Sequence, residues 1–267
     1  MVGPRSAKAK EPWTTARWGT NARRSIGRTE SSDFRHFPPS QIIISPGPDM
    51  LPSETLYTNC RTTVPGAPDH HLMFPAIYRI SDDTTTIAFA ASHDGKDWHF
   101  VPGSPVLDTA AFGRWDGGYL FSHPNLIELP DRSFALPYTG YVYPHKYPRG
   151  AWQFLPGYGT WPDGRLVALE APEEGRFMTV GFFPPTRHLT LNVRTKRAGS
   201  VRVEVADCAR GNALPGRSFA EMTPIVGDHG SVPVAWGGNR DLGAREGDAI
   251  MLRFRMDKAE LYGLDFA

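Results

Sequence analysis

Apolar and polar positions alternate along this chain in short runs, and no helical spacing of apolar residues is sustained. Leu72 to Tyr78, Thr84 to Ala91, Tyr119 to Ile127 and Phe134 to Tyr141 read as strands bounded by turn residues. Asp131-Arg132, between two apolar runs, predicts a hairpin. From Leu166 the alternation is cleaner: Leu189 to Val193, Val201 to Val205 and Met251 to Met256 each set an apolar face against a polar or charged one. Antiparallel sheets with one side in water have this pattern, which predicts a β-sandwich and a boundary near residue 165.

One repeat is visible. Ser31 to Phe37 and Ser92 to Trp98 share Ser-x-Asp-(Phe/Gly)-x-x-aromatic, and 61 residues separate Asp33 from Asp94. A Pro-containing link and a short apolar run follow each copy, Ile42 to Ile44 in the first and Val106-Leu107 in the second. Strand repeats of this size suit propeller blades of four antiparallel strands. Trp161-Pro162-Asp163-Gly164 is a looser echo. Asp33, Asp94 and Asp163 are expected to cap turns and to take no part in chemistry.

The expected organisation is therefore all-β: a disordered or extended tail over 1–18, partial β-propeller blades over 19–165 and an antiparallel β-sandwich over 166–267. A ring closes with roughly four blades or more, and the stretch before Leu166 accommodates fewer. Unpaired strand edges are avoided in native proteins. A homo-oligomer, a partner chain or a separately encoded upstream half is expected to complete the ring.

Composition agrees, with 27 Gly and 25 Pro to set turn dihedrals and 12% aromatic residues to fill pleated faces. Lys and Arg total 29 against 28 Asp and Glu, so no net field draws in nucleic acid or an anionic membrane. Cys60 and Cys208 define no disulfide framework and leave the redox compartment open. The basic start has no apolar stretch behind it to make a signal peptide, and nothing reaches membrane-spanning length, so the chain as given reads as soluble. No Gly-x-Ser-x-Gly, phosphate-binding Gly-Lys loop, Cys-x-x-Cys or His-Glu-x-x-His occurs, which removes the common nucleotide and zinc chemistries. No cofactor is expected. A structural Ca²⁺ stays open, since its oxygen ligands need no fixed spacing.

Arg24 to Phe34, the Ser92 to Trp98 copy and Phe112 to Gly118 resemble the blades of five-bladed β-propeller glycoside hydrolases of the arabinanase, xylosidase and invertase type. Asp163 to Leu169, Leu189 to Val193, Gly199 to Val205, Pro224 to Asp228 and Leu252-Arg253-Phe254 with Ala259 to Tyr262 resemble the sandwich that follows the propeller in a bacterial group of these proteins. The resemblance spans roughly residues 20 to 267, each motif being weak alone. It implies a carbohydrate substrate, O-glycosyl hydrolysis and acidic residues on the inner strands. The alternatives are a non-catalytic carbohydrate-binding or scaffold protein and a fragment that works beside its upstream half.

Glycoside hydrolysis needs one protonated and one ionised carboxyl. Asp69 precedes an apolar strand and shares a face with His71, with His70 on the other. Asp116 sits before Gly117-Gly118, where backbone or substrate can approach closely. Glu54 is a further candidate acid. A loop Asp beside hydrogen-bonded histidines, a turn cap and a surface Glu are the respective competing readings. His70, His71, His123, Tyr138, His145, Lys146 and Arg149 are the expected sugar-binding groups, those from Tyr138 to Arg149 in a segment dense in aromatics and cations that suits stacking and hydroxyl recognition. A packed loop would serve the last segment equally well.

Overall fold

The structure, a computed structural model, describes residues 23–146 and 153–267. The described residues form strands, turns and loops and no helix, so the chain is all-β, as its alternation predicts. The tail expected over 1–18 lies outside the described residues. Two compact units divide the chain: Met1–Pro130 with Phe134–Thr160, and Asp131–Ser133 with Trp161–Ala267.

In the first unit the strands are β1 (Ile26–Arg28), β2 (Gln41–Ile44), β3 (Glu54–Leu56), β4 (Arg61–Val64), β5 (Ala67–Met73), β6 (Ala76–Arg79) and β7 (Thr84–Ile87). Next come β8 (Ala90–Ser92), β9 (His99–Phe100), β10 (Tyr119–Ser122), β11 (Ile127–Glu128), β12 (Phe134–Tyr141) and β13 (Phe154–Trp161). They make four sheets, ordered β1-β2, β3-β6-β7, β4-β5-β8-β9 and β10-β12-β11, with β13 also on β12.

Two runs expected as single strands are each divided between sheets. Leu72 to Tyr78 breaks at Phe74-Pro75, because proline has no N–H for the ladder; β5 stops at Met73 and β6 starts at Ala76. Thr84 to Ala91 breaks alongside it at Ala88-Phe89, and the Ala88 N–H donates to the Pro75 carbonyl at 2.8 Å. The crossings bury Phe74 against Phe89, ring centroids 5.0 Å apart and nearly parallel. Side chains then tie β10 to the pair. Thr85 Oγ1 accepts the Leu120 N–H at 2.8 Å, and Ser122 Oγ donates to the Phe74 carbonyl at 2.7 Å.

The repeat turns are built alike. Asp33 Oδ1 accepts the N–H groups of Arg35 and His36 at 2.8 and 2.9 Å, and Asp94 Oδ1 those of Lys96 and Asp97 at the same distances. These amides hold both carboxyls below the usual range, Asp94 at about 2. At the following position Gly95 has φ +69° and Phe34 +58°, so the first copy places a phenylalanine in the left-handed region that glycine takes freely. The closing aromatic of the second copy, Trp98, is buried with Ile26, Ile44, Leu56, Met73 and Ala90; that of the first, Phe37, is exposed.

In the second unit, β14 (Leu169–Met178), β15 (Leu189–Asp207), β16 (Asp228–Pro233) and β17 (Ile250–Phe266) form one antiparallel sheet ordered β14-β17-β15-β16. Leu189 to Val193 and Val201 to Val205 are one strand, since β15 stays paired with β17 on both sides of an irregularity between Thr195 and Ser200. One face buries Leu191, Val203, Leu252 and Phe254 beneath Met222, Ile225, Val234, Trp236 and Leu242. Those covering residues lie on a second layer held by isolated bridges such as Val201↔Ile225 and Met222↔Trp236. Trp236 is fully buried, with its indole N–H on the Val203 carbonyl at 2.9 Å.

Candidate functional site

In the first unit several aromatic rings and polar groups converge on His145. Tyr57 follows β3, Tyr78 lies on β6, and Tyr119 and Phe121 lie on β10 with two-residue spacing that points both to one side. Tyr119, Tyr57, Phe121 and Tyr78 place their ring centroids 4.7, 5.3, 5.3 and 5.5 Å from the imidazole, all with tilted or edge geometry. Tyr141, at the end of β12, stacks on Tyr119 at 3.9 Å. Arg24 lies over the Tyr57 ring at 4.3 Å and Lys146 over Tyr78 at 4.5 Å.

Asp83 fixes the segment carrying His145. Its carbonyl accepts the His145 N–H at 2.9 Å, one carboxylate oxygen accepts the Lys146 N–H at 2.6 Å, and the other accepts the Tyr78 hydroxyl. The residue sits in the β6–β7 turn at φ +61°, a conformation Asp tolerates better than most side chains. Tyr57, Phe121, Tyr141 and His145 remain half-buried, and Lys146 is exposed.

Burial sets the protonation states. It pushes the phenols of Tyr78 and Tyr119 above their ordinary range, with Asp83 adding to the effect on Tyr78 and the neighbouring Tyr141 phenol adding to that on Tyr119. The same desolvation lowers His145, against an opposing pull from Asp83, so the imidazole is neutral at pH 7. Its Nδ1 is buried and has no hydrogen-bond partner among the described residues.

Of the expected residues, Asp116 accepts the Tyr138 hydroxyl at 3.3 Å, and Tyr138 stacks on Trp115 at 5.6 Å. Two glycines make room for this group. A Cβ at Gly140 would lie 2.5 Å from the Asp116 Cβ and 2.6 Å from the Trp115 ring, and one at Gly157 would lie 2.7 Å from Trp115. Burial and then Asp116 raise the Tyr138 phenol. Glu54 is held between the Leu51 N–H, at 2.9 Å, and Arg79, at 3.7 Å.

Asp69 and His70 are exposed on β5, and the His70 ring faces His93 at 6.2 Å. His71 Nδ1 meets Arg61 at 2.9 Å. His123 Nε2 meets Thr139 Oγ1 at 2.9 Å, also in an exposed position. Arg149 lies outside the described residues. Among the described residues no hydrogen bond or ion pair joins any two of Glu54, Asp69 and Asp116, and no group of three or more His, Cys, Asp or Glu could hold a metal ion. No helix among them is long and apolar enough to cross a membrane.

Tyr57, Tyr78, Asp83, Tyr119, Phe121 and Tyr141 complete the cluster and were not among the candidates from sequence. Asp83 had a usable signal, Ser81-Asp82-Asp83-Thr84 between two apolar runs. Tyr57, Tyr78, Tyr119 and Phe121 had none, since each also reads as an ordinary strand-region residue, whereas Tyr141 lies in the ring-dense segment from Tyr138 to Arg149.

No family model matches the sequence, and no curated protein matches it. Among solved structures, a sucrose-6-phosphate hydrolase from Lactobacillus gasseri superposes over 88% of this chain and 71% of its own, with 10% identity and a TM-score of 0.24. A superposition at that score leaves both fold and function to be argued from the strand pairing and side chains above.

Proposed function

We propose that the first unit binds a carbohydrate at the aromatic cluster around His145. The observation that carries the reading is the convergence of Tyr57, Phe121, Tyr141 and His145, all half-buried, with Asp83 beside them and Lys146 exposed at the edge. Ring faces stack on the apolar faces of pyranoses, and a carboxylate, a neutral imidazole and an ammonium supply acceptors and donors for hydroxyls. A neutral, polyhydroxylated ligand also suits a chain without net field.

Hydrolysis would need a carboxyl pair spaced for glycosidic chemistry. Glu54 is engaged by Arg79, Asp116 accepts from Tyr138, and Asp69 stands on an exposed strand, so binding is favoured over turnover. A glycan array with calorimetry, run beside an aryl-glycoside screen, tests this. Saturable binding that Tyr141→Ala weakens about ten-fold or more, without turnover, is the expected result. Turnover abolished by Asp116→Asn would replace it with the hydrolase reading, and binding indifferent to Tyr141→Ala would remove the site.

A further inference from the structure

The solvent face of the second unit's sheet carries a row of like charges. Arg176 on β14 lies directly opposite Arg255 on β17, and Arg255 directly opposite Arg202 on β15. Neighbouring strands are about 4.8 Å apart, so three guanidinium stems leave the sheet within roughly 10 Å. All three point away from the core, since the adjacent Phe177, Phe254 and Val203 pack into it. Like charges directly opposite one another destabilise a sheet.

The surrounding residues neutralise little of it. Arg253 on the next row is committed to Glu204 at 2.9 Å and the Gly211 carbonyl at 2.6 Å. Arg202 gives one N–H to the Phe219 carbonyl at 3.1 Å, and Arg255 lies over the Phe219 ring at 4.4 Å. Arg176 makes no hydrogen bond or ion pair among the described residues. Each guanidinium has five N–H donors, so most donors in the row stay free.

We propose that this row binds a compact oxyanion, a phosphate or sulfate ester, through Arg176, Arg202 and Arg255. Two adjoining grooves open along it, one of about 410 Å³ lined by Arg176, Met178, Glu204, Phe219, Arg253 and Arg255 and one of about 380 Å³ that adds Arg202; Phe219, common to both, offers a face for a small organic substituent, and Glu204 is held by Arg253. Planar guanidinium forks match the tetrahedral oxyanion in bidentate fashion. Glu174 and Asp257 occupy the row beyond and, among the described residues, form no ion pair with the arginines. They bound the positive patch on that side, which favours a localised oxyanion over an extended polyanion. The proposal concerns a different unit from the carbohydrate reading and stands without it.

Calorimetric titration and thermal melting of the full chain with inorganic phosphate, inorganic sulfate, phenyl phosphate and phenyl sulfate test it, with chloride at matched ionic strength as control. Saturable binding and a raised Tm are expected, with Arg176→Gln and Arg255→Gln each weakening binding about ten-fold or more, the scale of a lost charged hydrogen bond. Arg255→Lys should weaken it as well, since the charge stays and the fork is lost. In anion-free buffer Arg176→Gln should melt no lower than the unmodified protein, because repulsion is relieved and no contact is lost. The preferred pair of ligands, phosphates or sulfates, identifies the source of the oxyanion. Absence of saturation, an effect reproduced by chloride, or affinities unchanged in Arg176→Gln would overturn the proposal.

Discussion

Tyr119 and Tyr141 lie directly opposite one another on β10 and β12 with their rings stacked 3.9 Å apart between centroids. Facing aromatics stabilise a strand pair by up to about 1 kcal/mol, and here the pair also forms one wall of the His145 cluster. The wall depends on its neighbour. The Gly118 N–H donates to the Tyr141 carbonyl at 2.8 Å, and the chain after Tyr141 then turns across the Gly118 Cα.

Gly118→Ala should therefore destabilise the protein strongly. A Cβ there would overlap the Tyr143 carbonyl and lie 2.7 Å from its nitrogen, and backbone cannot swing aside as a side chain can. A loss of about 3 kcal/mol or more is expected in urea denaturation. Gly113→Ala is the control: its Cβ would meet nothing within 4 Å, and its φ of +92° alone should cost about 1–2 kcal/mol. Equal losses at the two positions would mean that the crossing at Tyr143 is not as tight as described.

Phe34→Gly should stabilise the chain. Phe34 is exposed and sits at φ +58°, a conformation that costs a side-chain-bearing residue about 1–2 kcal/mol, and the extra freedom of glycine in the unfolded chain offsets only part of that. A gain of about 0.5–1 kcal/mol is expected, with Gly95→Ala losing stability at the equivalent position. A loss on Phe34→Gly would show that the edge contact with Phe37, 5.8 Å between centroids, outweighs the strain.

Strand content was legible in the sequence where alternation was regular and neighbours were local. Phe134 to Tyr141 is one strand, as its pattern says, and the Ser-x-Asp turns cap as that motif requires. Leu189 to Val193 and Val201 to Val205 read as two separate strand runs. Instead Gly199, with no Cβ, lets the Asp257 and Lys258 carbonyls come close, and Ala198 takes φ +62°, so β15 runs on beside β17. His145 and Tyr138 stood out because their segment is dense in rings. Their surroundings did not, because Tyr57, Tyr78 and Asp83 reach His145 across more than sixty positions, through sheet order that no local pattern encodes.

Trp236→Phe tests the second unit's layering. The indole is buried over the sheet with its N–H on the Val203 carbonyl, and Arg217 lies over its ring at 5.6 Å. Phenylalanine leaves that contact unmade and a void beside Leu242, together costing about 2–4 kcal/mol. Denaturation followed by fluorescence and far-UV dichroism would measure it. A change below about 0.5 kcal/mol would mean that the covering layer adds little to the sheet's stability.

Protonation of His145 should loosen the cluster around it. Desolvation lowers its pKa, so the folded protein favours the neutral ring, while the unfolded chain titrates at its ordinary value of 6.5. A group lowered in this way contributes its full stability above pH 6.5. That contribution falls as the pH drops from 6.5 towards the folded value, because over that interval the unfolded state holds more of the proton than the folded one. Asp83 moderates the shift, and Lys146 and Arg24 reinforce it. Stability should thus decline as the pH falls below 6.5 in the unmodified protein and decline less in His145→Gln, which has no titrating group there. Carbohydrate binding should weaken over the same interval if the neutral imidazole accepts a hydroxyl proton. Nuclear magnetic resonance of the imidazole protons gives the titration directly, and a midpoint at or above 6.5 would show that Asp83, and not burial, governs the ring.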